Sequence, residues 1–215
     1  MVTQRTETEN VTREMTYEQF LAWAGEDAHA EWVKGEVVEL MPPTERHQEL
    51  IGWLVTLLTL FVDQKRIGKV LPAPFEMRLE VVPSSRQPDI IVTLATSAGR
   101  MDGKRLNGAA DLAIEVISDD SVTRDRRDKY AEYAQAGVSE YWVIDPRIGR
   151  YSFQAYQLAD EDYFETIPTN EAGRVPSIVI PGLAFDPAWI SMQPLPKALK
   201  IFLSMVPDAA VALDD

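Results

Sequence analysis

Apolar and polar positions along this chain follow two periods, and the sharpest change between them falls from Asp111 to Pro146. Leu112 to Ile117 is an apolar run holding one acid, Glu115, and a run of that length reads as a buried strand. A polar turn follows, Ser118 to Ser121. From Thr123 to Ala136, Tyr130, Tyr133 and Ala134 recur at three- and four-residue spacing, which marks one face of a helix, and Gly137 suits its left-handed cap. Glu140 to Ile144 reads as a second strand, stopped by Asp145-Pro146. Strand, helix and strand together are long enough for a parallel crossover.

The rest of the chain yields to the same reading. Thr16 and Gln19 form a capping-box pair ahead of a short helix carrying Phe20, Leu21 and Trp23. Ala30 to Val33 and Glu36 to Leu40 flank Lys34-Gly35 as a hairpin. Thr44 caps a long predicted helix, Glu45 to Gln64, with Leu50, Leu54, Leu57, Leu58 and Phe61 on its apolar stripe. Val70-Leu71 and Phe75 to Val81 read as strand, bent or held at an edge by Pro72 and Pro74. Ile90 to Val92 is another short apolar strand, entered through Gln87-Pro88-Asp89. The polar stretch 95–107 reads as a solvated connection, although Arg100, Lys104 and Arg105 place charge there for a substrate. Tyr151 to Leu158, Asp162 to Ile167 and Ser177 to Ile180 suggest a β meander. Beyond it, Leu195, Leu199, Phe202 and Val206 form a helical stripe that can dock on the body or on a second subunit. The expectation is one α/β domain over 15–190, a mixed sheet with a helix against each face and a C-terminal β meander. A polar, mobile tail (1–14) precedes it and an extension with a short helix (191–215) follows.

Composition changes this picture in three places. At 215 residues the chain can bury a sizeable core as one domain with extensions. It has no cysteine, so disulfides and thiol catalysis are excluded. With no apolar stretch of signal-peptide or membrane-span character, a cytoplasmic protein is expected. The formal net charge of −13 opposes the phosphate backbone of nucleic acids at long range. That charge is unevenly spread: residues 85–150 hold 10 Lys+Arg against 11 Asp+Glu, and the remainder holds 11 against 23.

Glu115 inside a strand that calls for burial is costly unless something pairs with it. Lys129 or Arg126 on the following helix can do so structurally. A second acid, Asp89, stands where the Ile90 strand begins, and two carboxylates on neighbouring strands with a lysine nearby suit a hard cation such as magnesium or manganese. With only His29 and His47 present, a histidine-rich zinc site is not available. No phosphate-cradling Gly motif occurs, and Ser118 beside Glu115 reads as a turn residue or a hydrogen-bonder in support of that acid rather than a nucleophile.

Pro88-Asp89, Glu115-Val116-Ile117-Ser118, Asp125 with Lys129 and Tyr133, Gly137-Val138 and Glu140-Tyr141-Trp142 resemble the Uma-two family of putative endonucleases. So do Glu31-Trp32-Val33-Lys34-Gly35-Glu36 and His47. That family belongs to the PD-(D/E)XK, restriction-endonuclease-like superfamily, and the resemblance covers roughly 15–190. It implies a metal-dependent endonuclease that hydrolyses phosphodiester bonds of nucleic acid, with DNA first. Asp89 and Glu115 would hold Mg²⁺, or Mn²⁺, with the Val116 carbonyl. Glu31 would be an extra carboxylate, and His47 would contact phosphate or activate water. One departure stands out: the superfamily lysine two residues after the glutamate is here Ile117, so Lys129 becomes the candidate replacement. A duplex substrate implies a homodimer. The competing reading is a nuclease-fold module that binds or assembles without cutting.

Overall fold

A strand that is apolar at every position must be covered on both faces, and in this chain two helices supply the cover. The computed structural model describes residues 13–25, 29–119, 121–160 and 162–211. In chain order its strands are β1 (Arg13–Glu14), β2 (Ala30–Val33), β3 (Glu36–Glu39), β4 (Gly68–Pro72), β5 (Glu76–Leu79), β6 (Ser84–Arg86), β7 (Ile90–Leu94), β8 (Arg105–Asn107), β9 (Leu112–Val116), β10 (Glu140–Asp145), β11 (Ser152–Asp160), β12 (Tyr163–Thr166), β13 (Val175–Pro176) and β14 (Ala184–Phe185). The longer helices are α1 (Tyr17–Ala24), α2 (Glu45–Lys65), α3 (Lys129–Ala136) and α4 (Ala198–Met205). Among the described residues no helix is long and apolar enough to cross a membrane.

The central sheet has the order β12-β11-β10-β9-β7-β4. The expected crossover is its middle: β9 and β10 pair in parallel and α3 connects them. Alternation then sorts the side chains. Leu112, Ile114 and Val116 of β9 join Ile90, Val92, Trp142 and Ile144 under the apolar stripe of α2. Ala113, Ile91, Tyr141 and Val143 pack on the other face with Tyr133 and Ala134 of α3. Thr44 caps α2 by accepting the His47 N–H at 3.3 Å, so His47 sits in the first turn of that helix.

The second sheet, β1-β3-β2-β6-β5-β8, gathers segments that the sequence leaves separate. Its hairpin β2–β3 and the capping box of α1 follow the expected pattern. Residues 1–12 of the expected tail lie outside the described residues, while Arg13–Glu14 pair with β3. Two expectations change. The stretch 95–107 is more than a solvated connection, since it contains β8, which pairs in parallel with β5, and Arg100 Nη1 donates to the Ala109 carbonyl at 2.7 Å. Of the two strands expected near Pro72 and Pro74, only β4 is an edge; β5 is interior.

The C-terminal part departs from the meander at one place. β11 and β12 extend the sheet, but Ser177 to Ile180 form no strand. Glu140, fully buried at the start of β10, takes the Ile178 and Val179 amides at 3.0 and 2.9 Å and the Ser177 hydroxyl at 2.8 Å. Those amides are therefore spent on a carboxylate instead of a ladder. The C-terminal stripe docks on its own body: Phe202 meets Phe61 of α2 edge-on at 5.1 Å, with Ala198 and Ile201 buried beside it. Leu199, read from sequence as part of that stripe, is 48% exposed, because the covered face is set by positions 198, 201 and 202.

Phe202→Ala should destabilise the protein by about 3–5 kcal/mol, the usual cost of deleting a buried phenyl ring. Urea unfolding of the two proteins measures it; a loss below about 1 kcal/mol would mean that α4 is not part of the core.

Candidate active site

The register of the central sheet brings the two predicted acids together. Ile90 lies opposite Ile114 and Ile91 opposite Ala113, so one step further sets Asp89 against Glu115. Asp89 Oδ2 accepts the Val116 N–H at 2.7 Å, which fixes its carboxylate at the end of β9. Both acids line a cleft of about 480 Å³ between the start of α2 and the turn after β9. His47, Val116, Ser118, Ser121, Arg124 and Asp125 line it too.

Lys129 enters from α3. The turn that precedes this helix, Arg124–Asp128, is wider than an α-turn, with the Lys129 N–H bonded to the Arg124 carbonyl. Its ammonium lies 2.9 Å from Glu115 Oε2, 3.3 Å from Glu31 Oε1 and 3.4 Å from Asp125 Oδ1. Tyr133, one turn on, donates its hydroxyl to Glu115 Oε1 at 2.8 Å. The five residues singled out from sequence thus gather in one place, but only Asp89, Glu115 and His47 of them line the cleft, and Lys129 and Glu31 are buried behind it. Arg126, the other cation weighed as a partner of Glu115, points elsewhere, to Gln154 at 2.7 Å and Asp145 at 3.4 Å. Sequence reasoning missed Arg86 and Glu132. Arg86 Nη1 reaches Glu31 Oε2 at 2.8 Å, and its Nε and Nη2 grip Glu132 at 2.9 and 2.8 Å. The only sequence signal was an arginine three residues before Asp89.

The electrostatics are lopsided. Burial pushes the Glu115 carboxyl up to about 8, and the charges of Asp125, Asp89 and Glu31 add to this while Lys129 opposes it. Asp125 is raised as well, by burial first, with Lys129 again opposing. Burial works against the charge on Glu31 also, yet Lys129, Arg86 and the Gln87 amide overcome it and hold that carboxyl at about 2. His47 is raised despite burial, through its hydrogen bond to and the charge of Asp89 and through the Val116 carbonyl. Its Nε2 lies 2.9 Å from that carbonyl and 3.4 Å from Asp89 Oδ2, so Nε2 carries a proton and donates.

These residues fit a hard divalent cation. The cleft donors are nearly all oxygens, and a buried oxygen, Asp125 Oδ1, accepts no hydrogen bond. Among the described residues no three His, Cys, Asp or Glu side chains are arranged to hold an ion by themselves. Main-chain oxygen and water would therefore complete any shell, as hard cations commonly allow.

A family model described as Uma2, putative restriction endonuclease, matches residues 17–190. The chain belongs to the Uma2 family. A solved structure, a putative nuclease belonging to DUF820 from Anabaena variabilis, is similar to it at 18% identity, covering 82% of this chain and 97% of that one with a TM-score of 0.67. At that identity the likeness speaks for the fold, and it shows this Uma2 chain to have the mixed α/β nuclease fold expected from sequence. Comparison with curated proteins gives no match.

A carboxyl with a raised folded pKa binds its proton more tightly folded than unfolded, so Glu115 contributes stability that is lost as pH rises from about 4.5 to about 8. Asp125 and His47, both raised, act in the same direction, and Glu31 acts only in stronger acid. The melting temperature of metal-free protein should therefore fall over that window, and Glu115→Gln should flatten the fall. Calorimetric scans across the window check it, and equal slopes for the two proteins would contradict it.

Proposed function

We propose that this Uma2 chain is a divalent-metal-dependent endonuclease acting on phosphodiester bonds, with DNA as its first substrate class and Mg²⁺ or Mn²⁺ as its cofactor. One observation carries the reading: a lysine ammonium is buried among acids that outnumber the nearby cations, and two of its partners, Glu115 and Asp125, line an open cleft. Asp89 and Glu115 would hold the ion together with the Val116 carbonyl. A divalent ion bound there would polarise the phosphoryl group and make a water more acidic. Lys129, behind Glu115 and Asp125, would lend the site a compact positive charge as negative charge develops on phosphate oxygen. Tyr133, through its hydroxyl on Glu115 Oε1, fixes which oxygen of that acid faces Lys129. His47 donates toward Asp89 and Val116 from the opposite wall, which keeps both oxygens oriented into the cleft. Each chain brings one such cluster, so cutting both strands of a duplex calls for a homodimer.

Labelled DNA and RNA, single- and double-stranded, incubated with Mg²⁺, Mn²⁺ or a chelator test the reading. Cleavage should require the metal and disappear in Asp89→Ala. Lys129→Met should lower kcat by about a hundred- to a thousandfold while the protein stays folded and still binds metal. Lys129→Arg should not restore the rate, since a planar fork does not replace a point charge. If no substrate is cut and Asp89→Ala behaves as wild type, the chain is a nuclease-fold module without catalysis.

A further inference from the structure

The buried charges beside α3 separate into two sets. Lys129, Arg86, Glu31 and Glu132 close on one another: Arg86 pairs with both Glu31 and Glu132, and Glu31 passes its other oxygen to Lys129 at 3.3 Å and to the Gln87 N–H at 3.0 Å. This set is neutral, two cations with two anions, and neither Glu31 nor Glu132 lines the cleft. The other set is Asp89, Glu115 and Asp125, which do line it. Of these acids Glu115 and Asp125 share, in Lys129, a cation whose charge Glu31 already matches, while Asp89 faces His47.

We propose that Glu31, fixed by Arg86, is the permanent counter-ion of Lys129, and that it thereby frees Glu115 and Asp125 for a divalent cation. The assignment rests on the metal-site reading above. Lys129 and a bound ion compete for Glu115. Were Lys129 neutralised only by the cleft acids, drawing them to an ion would leave a buried ammonium unpaired, which is costly. With Glu31 in place the ammonium keeps a partner whichever way Glu115 turns. Glu31 cannot itself swing into the cleft, because Arg86 holds one of its oxygens and Gln87 the other. Glu31 is thus a positioning residue that acts through Lys129, and Arg86 positions Glu31.

Mn²⁺ binding, measured by calorimetry at fixed pH on the full chain, tests this in wild type, Glu31→Gln, Lys129→Met and the double variant. Glu31→Gln should raise Kd roughly tenfold although Glu31 touches no ion, and Lys129→Met should lower Kd by removing the competing charge. The double variant should bind within about threefold of Lys129→Met, because a residue that acts through Lys129 has no effect once that charge is gone, which is the non-additivity of a coupled pair. An unchanged Kd in Glu31→Gln overturns the proposal. So does a double variant weaker than Lys129→Met by the factor that separates Glu31→Gln from wild type, which would mean that Glu31 acts on the ion without Lys129, and so does a wild type that binds no Mn²⁺. Should Glu31→Gln alone fail to fold, Lys129→Met and the double variant carry the comparison: the double must bind as tightly as Lys129→Met and more tightly than wild type. Binding is read without cleavage, so a chain that shows this pattern and cuts nothing overturns the nuclease reading and leaves the counter-ion assignment standing.

Discussion

An ammonium removed from water must be met by carboxylates, and Lys129 is the point where three parts of this fold meet that demand. Glu115 arrives from the central sheet, Glu31 from the second sheet, and Asp125 from the turn ahead of the lysine's own helix. Because each acid belongs to a different element, the ion cluster fixes how those elements sit together. Arg86 extends the constraint, since its guanidinium ties β6 and β2 to α3 through Glu132 and Glu31. Apolar packing brings α3 onto the sheet, and the charges then settle its position along the strands.

The same constraint explains why the cleft lies at one end of the sheet. Over the first residues of β9 and β10 the α3 face is apolar, with Ala113, Tyr141 and Val143 buried there. Where β9 ends and β7 begins, Glu115 and Asp89 stand opposite each other, and the wide turn ahead of α3 carries Asp125 to the same place. The α2 helix closes the far wall with His47, whose position follows from the Thr44 cap. Caps, register and helix phase converge on one volume, although none of the residues involved is close in sequence to all the others.

How much of this was legible depended on whether a signal was local. The crossover from β9 to β10 could be read because the apolar period changes within a few residues and Gly137 ends the helix. Asp89 and Glu115 could be read because an acid next to an apolar strand is conspicuous. Arg86 and Glu132 could not: they pair across 46 residues, and Arg86 reaches Glu31 across 55. β6 hid them further, since Ser84, Ser85 and Arg86 are all buried in a strand with no apolar residue. Ser177 to Ile180 failed for the opposite reason. Its composition suits a strand, but one buried carboxylate, Glu140, claimed the amides a ladder would have used. A pattern in sequence records what a segment prefers alone, and a distant buried charge can override it.

The acidity of the chain bears on function through the same cluster. A net charge of −13 gives phosphate little reason to approach, and the charged side chains lining the cleft are Asp89, Glu115 and Asp125 against Arg124. Lys129 adds little long-range attraction because it is buried and matched by acids. On the proposed reading, much of the charge that draws a phosphodiester into the cleft must then come from the bound cation. Metal and nucleic acid would consequently favour each other's binding by the same factor, as linkage requires of any two ligands whose charges meet in one site. On the same reading an acidic protein of this kind would bind nucleic acid weakly until the ion is bound, so the charge that argues against nucleic-acid binding in the bare chain would make that binding conditional on the metal.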